Sequence, residues 1–175
     1  MSGSIVKRQH AVKQGAAVEE VERTPAAGTL SWLVVQVMQL NGLLTAAGDA
    51  LAAPAGQTSA RWQVLAAVED APLSVAQIAR AMNLTRQSVQ RVADLLVEEG
   101  LTAYQDNPAH ARAKLLRLTP KGRKALGTIQ SGQKLWANAL AARMDESQLR
   151  AASAVLAQLQ QALRAAQASP ESPQE

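Results

Sequence analysis

Two stretches of this chain carry apolar side chains at alternating steps of three and four, one near each end, and few folds accommodate both. The first is Leu30, Leu33, Val37, Leu40, Leu44, Ala47 and Leu51; the second is Leu149, Ala152, Leu156, Leu159, Leu163 and Ala166. Such spacing lays one apolar stripe along a helix, and the stripe needs another helix to cover it. Composition agrees, because 36 of the 175 residues are alanine and none is phenylalanine, which favours helices packed closely through small side chains. With 47% hydrophobic and 18% charged residues the chain lies outside the disordered range, and its length suffices for a core.

The first stripe from Leu30 to Ala47 falls within residues 24–48, which contain no charged residue and are long enough to raise the question of a membrane span. Gln36, Gln39 and Asn41 in the middle, the absence of a following lysine or arginine cluster, and the stripe itself favour a packed helix, so no membrane partner is expected. Residues 1–12 lack the apolar run of a signal peptide, and a cytoplasmic location is expected. The chain has no cysteine, which excludes disulfides, thiolate metal sites and thiol catalysis. His10 and His110 stand too far apart in sequence to suggest a histidine zinc site or a Ser/His/Asp triad. Asp145 and Glu146 are adjacent acids, but they open a helix, where carboxylates suit the positive dipole end. No glycine loop that could cradle phosphate is present. The expectation is a protein without metal or cofactor that is not an enzyme.

The punctuation of the chain divides it further. Residues 1–25 read as a mobile tail, basic at Lys7, Arg8 and Lys13 and acidic at Glu19, Glu20 and Glu22. A helix over about 30–51 ends before Pro54 and Gly56, and Thr58 or Ser59 caps a second that runs to about Asp70. Ala71, Pro72 and Leu73 form a turn, and Ser74 with Gln77 has the spacing of a capping box for a third helix. Thr85 caps a fourth, which Gly100 ends. Residues 101–104 and 114–118 read as short strands around a polar loop, forming a hairpin. Thr119 and Pro120 restart a helix carrying Leu126, Ile129, Trp136 and Leu140, and a last helix covers about 145–166. Residues 169–175 read as a frayed end.

Two short helices joined by a tight turn, over 74–82 and 85–99, match a helix-turn-helix. Val89, Val92 and Leu96 share one face of the second helix, whereas Gln87, Ser88, Gln90, Arg91 and Asp94 lie largely elsewhere. Its first turns carry Thr85, Arg86, Gln87, Ser88, Gln90 and Arg91. Arginine can grip guanine, glutamine can grip adenine, and hydroxyls can bond phosphate, so this helix end suits a major groove. Residues 85–125 hold eight basic and four acidic side chains, a surplus of four that equals the net charge of the whole chain. That concentration points to double-stranded DNA as partner, with Lys114 on the hairpin and Arg112 near its tip able to enter a minor groove.

The segments SVAQIARAM (74–82), LTRQSVQRVADLLVEEGL (84–101) and NPAHARAKLLRLTPKG (107–122), in this order and spacing, make the chain resemble the MarR family of bacterial winged helix-turn-helix transcription regulators. The resemblance covers about 30–166. It implies a mainly α fold with a small β-hairpin wing: an N-terminal dimerisation helix (26–56), a winged helix-turn-helix (57–122) and C-terminal dimerisation helices (123–168). It implies a homodimer on a palindromic operator, with recognition helices in successive major grooves about 10 base pairs apart. By position, Gln87, Ser88 and Arg91 take the base- or phosphate-facing side and Arg112 the wing-tip arginine. Family wings carry an aspartate two residues before that arginine; here His110 stands there, leaving Arg112 without that ion pair unless Asp106 supplies one. The resemblance also implies a small ligand, often aromatic and anionic, bound between dimerisation helices and DNA-binding lobe. Trp32, Trp62 and Trp136, with Met38 and Met144, are large apolar groups for such a crevice, and Arg61 could meet a carboxylate. Repression by blocking polymerase is the default outcome. The competing expectation is a winged-helix module that binds proteins and does not read DNA.

Overall fold

The computed structural model describes residues 22–109 and 112–168. The tails expected over 1–25 and 169–175 thus lie almost wholly outside the described residues, as does His110. Among the described residues six α-helices and three short strands follow in the order α1 (Pro25–Ala52), α2 (Ser59–Ala67), β1 (Leu73–Ser74), α3 (Val75–Met82), α4 (Arg86–Glu98), β2 (Thr102–Gln105), β3 (Leu115–Leu118), α5 (Pro120–Ala141) and α6 (Glu146–Ala168). The chain divides into two compact units, one ending at Asn41 and one beginning at Gly42, with the division inside α1.

Helix α1 starts five residues before the apolar stripe, since Thr24 accepts a hydrogen bond from the Ala27 amide and Pro25 needs no donor at the first helical position. Pro25–Ala55 is long and apolar enough to cross a membrane by length and composition. In the first unit Leu30, Trp32, Val34, Val35, Met38 and Leu40 are all exposed.

The second unit holds the core. Val64 and Leu65 of α2, Ile78 of α3, Val89, Ala93 and Leu96 of α4, and Leu116 and Leu118 of β3 are all buried and mutually packed. Helix entries are secured by the residues that the sequence marks. The Thr58 hydroxyl accepts from the Arg61 amide at 3.4 Å. The Ser74 and Gln77 backbone amides donate to each other's side chains at 2.8 and 3.3 Å, closing the capping box. Thr85 accepts from the Ser88 amide at 3.1 Å and Thr119 from the Gly122 amide at 3.1 Å. Asn83 (φ 53°) ends α3 and Gly100 (φ 70°) follows α4, both left-handed, a conformation glycine and asparagine tolerate best.

The expected hairpin is one part of a three-stranded antiparallel sheet in the order β1-β3-β2. Leu73 pairs with Leu116 and Ser74 with Leu115, so the residues expected as a turn before α3 supply an edge strand. Helix α2 ends three residues earlier than expected, at Ala67.

The C-terminal helices leave apolar side chains bare: Leu135 (74%), Leu140, Met144, Leu156 and Leu163 are exposed. No residue over 146–167 is buried. Asp145 caps α6, accepting from the Ser147 hydroxyl and from the Gln148 amide at 3.1 Å, and these bonds, the first above all, hold its carboxyl below the usual range.

Candidate nucleic-acid interface

Helix α4 and the β2–β3 hairpin converge on one cleft of about 700 Å³, lined by Ser74, Val75, Ala76, Arg86, Gln87, Gln90, Tyr104, Arg112, Ala113 and Lys114. The sequence places Arg86, Gln87 and Gln90 on consecutive turns of α4, whose Val89, Ala93 and Leu96 are turned into the core. Pairing of β2 with β3, Tyr104 opposite Leu116 and Gln105 opposite Leu115, then carries Arg112 and Lys114 back toward the start of α4. Five of the eight expected DNA-facing residues therefore meet in one place, and three of the five are cationic. All five are exposed.

The other three are placed differently. Arg91 lies with Gln87, Gln90, Asp94, Leu95 and Glu98 along an adjoining shallow groove of about 460 Å³. The Thr85 hydroxyl donates to Ser88 Oγ at 3.0 Å while the Ser88 hydroxyl donates to the Thr85 carbonyl at 2.9 Å, so both hydroxyls serve the helix start. Ser88 borders a third cavity, about 250 Å³, together with Thr45, Ser59, Gln63, Leu84 and Val92. Among the described residues the ion pairs are Arg61–Glu99 and Arg150–Glu146, so Arg112 has no carboxylate partner, Asp106 included.

The four expected ligand contacts do not border these three cavities. Arg61 is bound to Glu99 at 2.8 Å, tying α2 to the end of α4. Trp62 is partly buried against the core, Trp136 is half-buried on α5, and Trp32 is 63% exposed in the first unit.

A feature absent from the sequence reading links the helix to the hairpin. Gln90 Nε2 donates to Asp94 Oδ1 at 2.8 Å and to the Tyr104 hydroxyl at 2.7 Å, and that hydroxyl donates to Asp94 Oδ1 at 2.7 Å. The four-residue step from Gln90 to Asp94 is a visible signal for a pair on one helix face; Tyr104 reaches them only through the hairpin. Burial, and then the Asp94 carboxylate, pushes the Tyr104 phenol from its ordinary 10.0 up to about 12. Tyr104 is the chain's sole tyrosine, so its phenolate absorbance can be followed without interference. We expect a midpoint near 12 that falls toward 10 in Asp94→Asn; an unchanged midpoint would disprove the contact. Because the folded value is raised, this group's contribution to stability is complete below about 10 and is lost as pH rises through about 12.

Comparison with known proteins agrees with this geometry. A sequence model of the MarR family matches residues 55–113, from the start of α2 through the tip of the hairpin. An uncharacterized protein of Mycobacterium tuberculosis is 43% identical over 133 residues, which is 76% of this chain and 93% of that protein. A MarR family transcriptional regulator from Streptomyces coelicolor has a similar structure, with a TM-score of 0.67 and 25% identity, over 77% of this chain and 95% of that one. The M. tuberculosis transcriptional regulator MosR, solved in complex with DNA, gives a TM-score of 0.63 at 24% identity, over 75% and 97% of the two chains. With the helix-turn-helix and the first strand of the wing matched by the family's sequence pattern, and a MarR family regulator matched in structure over 77% of its length, this chain belongs to the MarR family of transcription regulators.

Proposed function

We propose that the protein is a cytoplasmic repressor that binds a palindromic DNA operator as a homodimer and is released by a small ligand. The observation that carries the DNA reading is the cleft in which Arg86, Arg112 and Lys114 meet Gln87 and Gln90. Cations on both walls can hold phosphates, and the amide side chains on the helix can address base edges. The DNA-bound form of MosR supports the same partner. Dimerisation is supported by the bare apolar side chains of α5 and α6, and separately by those of α1, because apolar helix faces left bare in one chain are commonly covered by another. A two-fold pair presents two recognition helices about 10 base pairs apart. A ligand that prefers another separation weakens DNA binding by its difference in affinity for the two arrangements, typically about 1–3 kcal/mol.

Selection of bound fragments from genomic DNA by the purified protein tests this reading. An enriched inverted repeat is expected, and Arg91→Ala should bind the selected site roughly tenfold to a hundredfold more weakly, as loss of a base-gripping arginine would. Absence of any enriched duplex would favour a module that docks proteins and does not read DNA.

A further inference from the structure

We infer that Gln90 addresses the major groove as a hydrogen-bond acceptor alone, and so selects an amino base, adenine or cytosine, on the strand it faces. The inference rests on the DNA-binding reading above and adds to it the chemistry of one contact. A glutamine free to turn can grip adenine with both ends, its oxygen accepting from N6 and its nitrogen donating to N7. Gln90 is not free to turn. Its Nε2 lies 2.8 Å from Asp94 Oδ1 and 2.7 Å from the Tyr104 hydroxyl. The hydroxyl's one hydrogen goes to the same Asp94 oxygen at 2.7 Å, so the phenol can only accept from Gln90.

Each atom's role follows from the others. A carboxylate offers lone pairs, so an amide oxygen placed beside Asp94 would be repelled. The nitrogen must face Asp94, and its second hydrogen goes to Tyr104. Nε2, Asp94 Oδ1 and the Tyr104 hydroxyl form a triangle with sides of 2.8, 2.7 and 2.7 Å, so both amide hydrogens are engaged inside the protein along bent bonds, and Oε1 remains for a partner. Gln90 borders the same cleft as Arg86 and Arg112, on the side of α4 that is exposed. In the major groove, adenine N6 and cytosine N4 donate, whereas guanine N7 and O6 and thymine O4 only accept. An isolated acceptor pairs with the first two and is repelled by the others. Tyr104 acts as a positioning residue: from β2 it holds the amide of a side chain on α4, so the hairpin sets what the helix can read.

Selection of duplexes from a randomised pool by the full chain tests this, with wild type, Gln90→Ala and Tyr104→Phe run in parallel. The position that loses its preference in Gln90→Ala identifies the contacted base. Wild type should favour adenine or cytosine there. Tyr104→Phe keeps the ring and returns one free N–H to the amide, so guanine should be admitted and its rejection should fall about five- to tenfold. Asp94→Ala, at an exposed position, should broaden the same position if the tyrosine variant folds poorly. A wild-type preference for guanine or thymine at that position would overturn the inference. So would no position altered by Gln90→Ala, or an unchanged preference in both anchoring variants. If wild type enriches no duplex at all, the DNA-binding reading itself fails, and the result is distinct from these.

Discussion

Gly122→Ala should destabilise the chain by about 3 kcal/mol or more, at the upper end of what inserting one methyl group does to a packed site. A Cβ at this position would stand 2.0 Å from the Leu101 carbonyl oxygen and 3.0 Å from its carbon. The obstacle is backbone, so no rotation of a side chain relieves it. That carbonyl is also held in place, accepting from the Thr119 amide at 3.1 Å and from the Thr119 hydroxyl at 3.0 Å. Either α5 moves off the sheet or those bonds break. Gly127 provides the control, because it lies on the same helix and a methyl group added there would meet nothing within 4 Å. Gly127→Ala should stabilise by up to about 1 kcal/mol through helix propensity. Urea midpoints of the two variants, taken at one protein concentration, should therefore move in opposite directions. A loss below about 1 kcal/mol in Gly122→Ala would contradict the described packing of α5 on Leu101.

Binding to the operator should fall by roughly 10³- to 10⁵-fold as salt rises from about 50 to about 200 mM, if two copies together neutralise about six to ten phosphates. The cations available in each chain include Arg86, Arg112 and Lys114 around the cleft and Arg91 beside it, all exposed. Each phosphate contact removed should lower the salt slope by about one, so Lys114→Ala in both copies should lower it by about two. Affinity should fall by a similar factor on every sequence, in contrast to the sequence-selective effect expected of Arg91→Ala. A slope near zero would mean that the cleft does not hold phosphate, whatever else it binds.

Local signals made much of this fold legible. Ser74 with Gln77, Thr85, and Thr119 followed by Pro120 each mark a helix start by a short-range rule, and each cap is formed. The alternation of Val89 and Leu96 with polar neighbours likewise gives the buried face of α4. Strand β1 was not legible, because two residues after a proline carry no periodicity and become a strand only when β3 arrives beside them. The apolar stripe alone does not give the start of α1, because the stripe begins at Leu30, whereas the helix is set by Thr24 and Pro25, a cap rather than a stripe. At the interface the cationic residues were visible as a local surplus of charge. The bonds of Gln90 were not, since Tyr104 lies fourteen positions away and its place depends on hairpin register. Arg61 shows the same limit: its link to Glu99 joins residues far apart in sequence, and no short-range pattern marks it.

Helix α6 spans 23 residues, yet none over 146–167 is buried by the rest of the chain. In proteins most of a helix's stability comes from packing of its apolar face rather than from propensity. Its Asp145 cap and its Glu146–Arg150 pair contribute at the surface, where such contacts add little. The persistence of this segment therefore depends on what covers it and on how much of that cover is present. If a second copy supplies that cover, as proposed, dilution would loosen the 23 residues of α6 while leaving the α2–α4 core intact, and abundance in the cell would govern how completely each molecule is built.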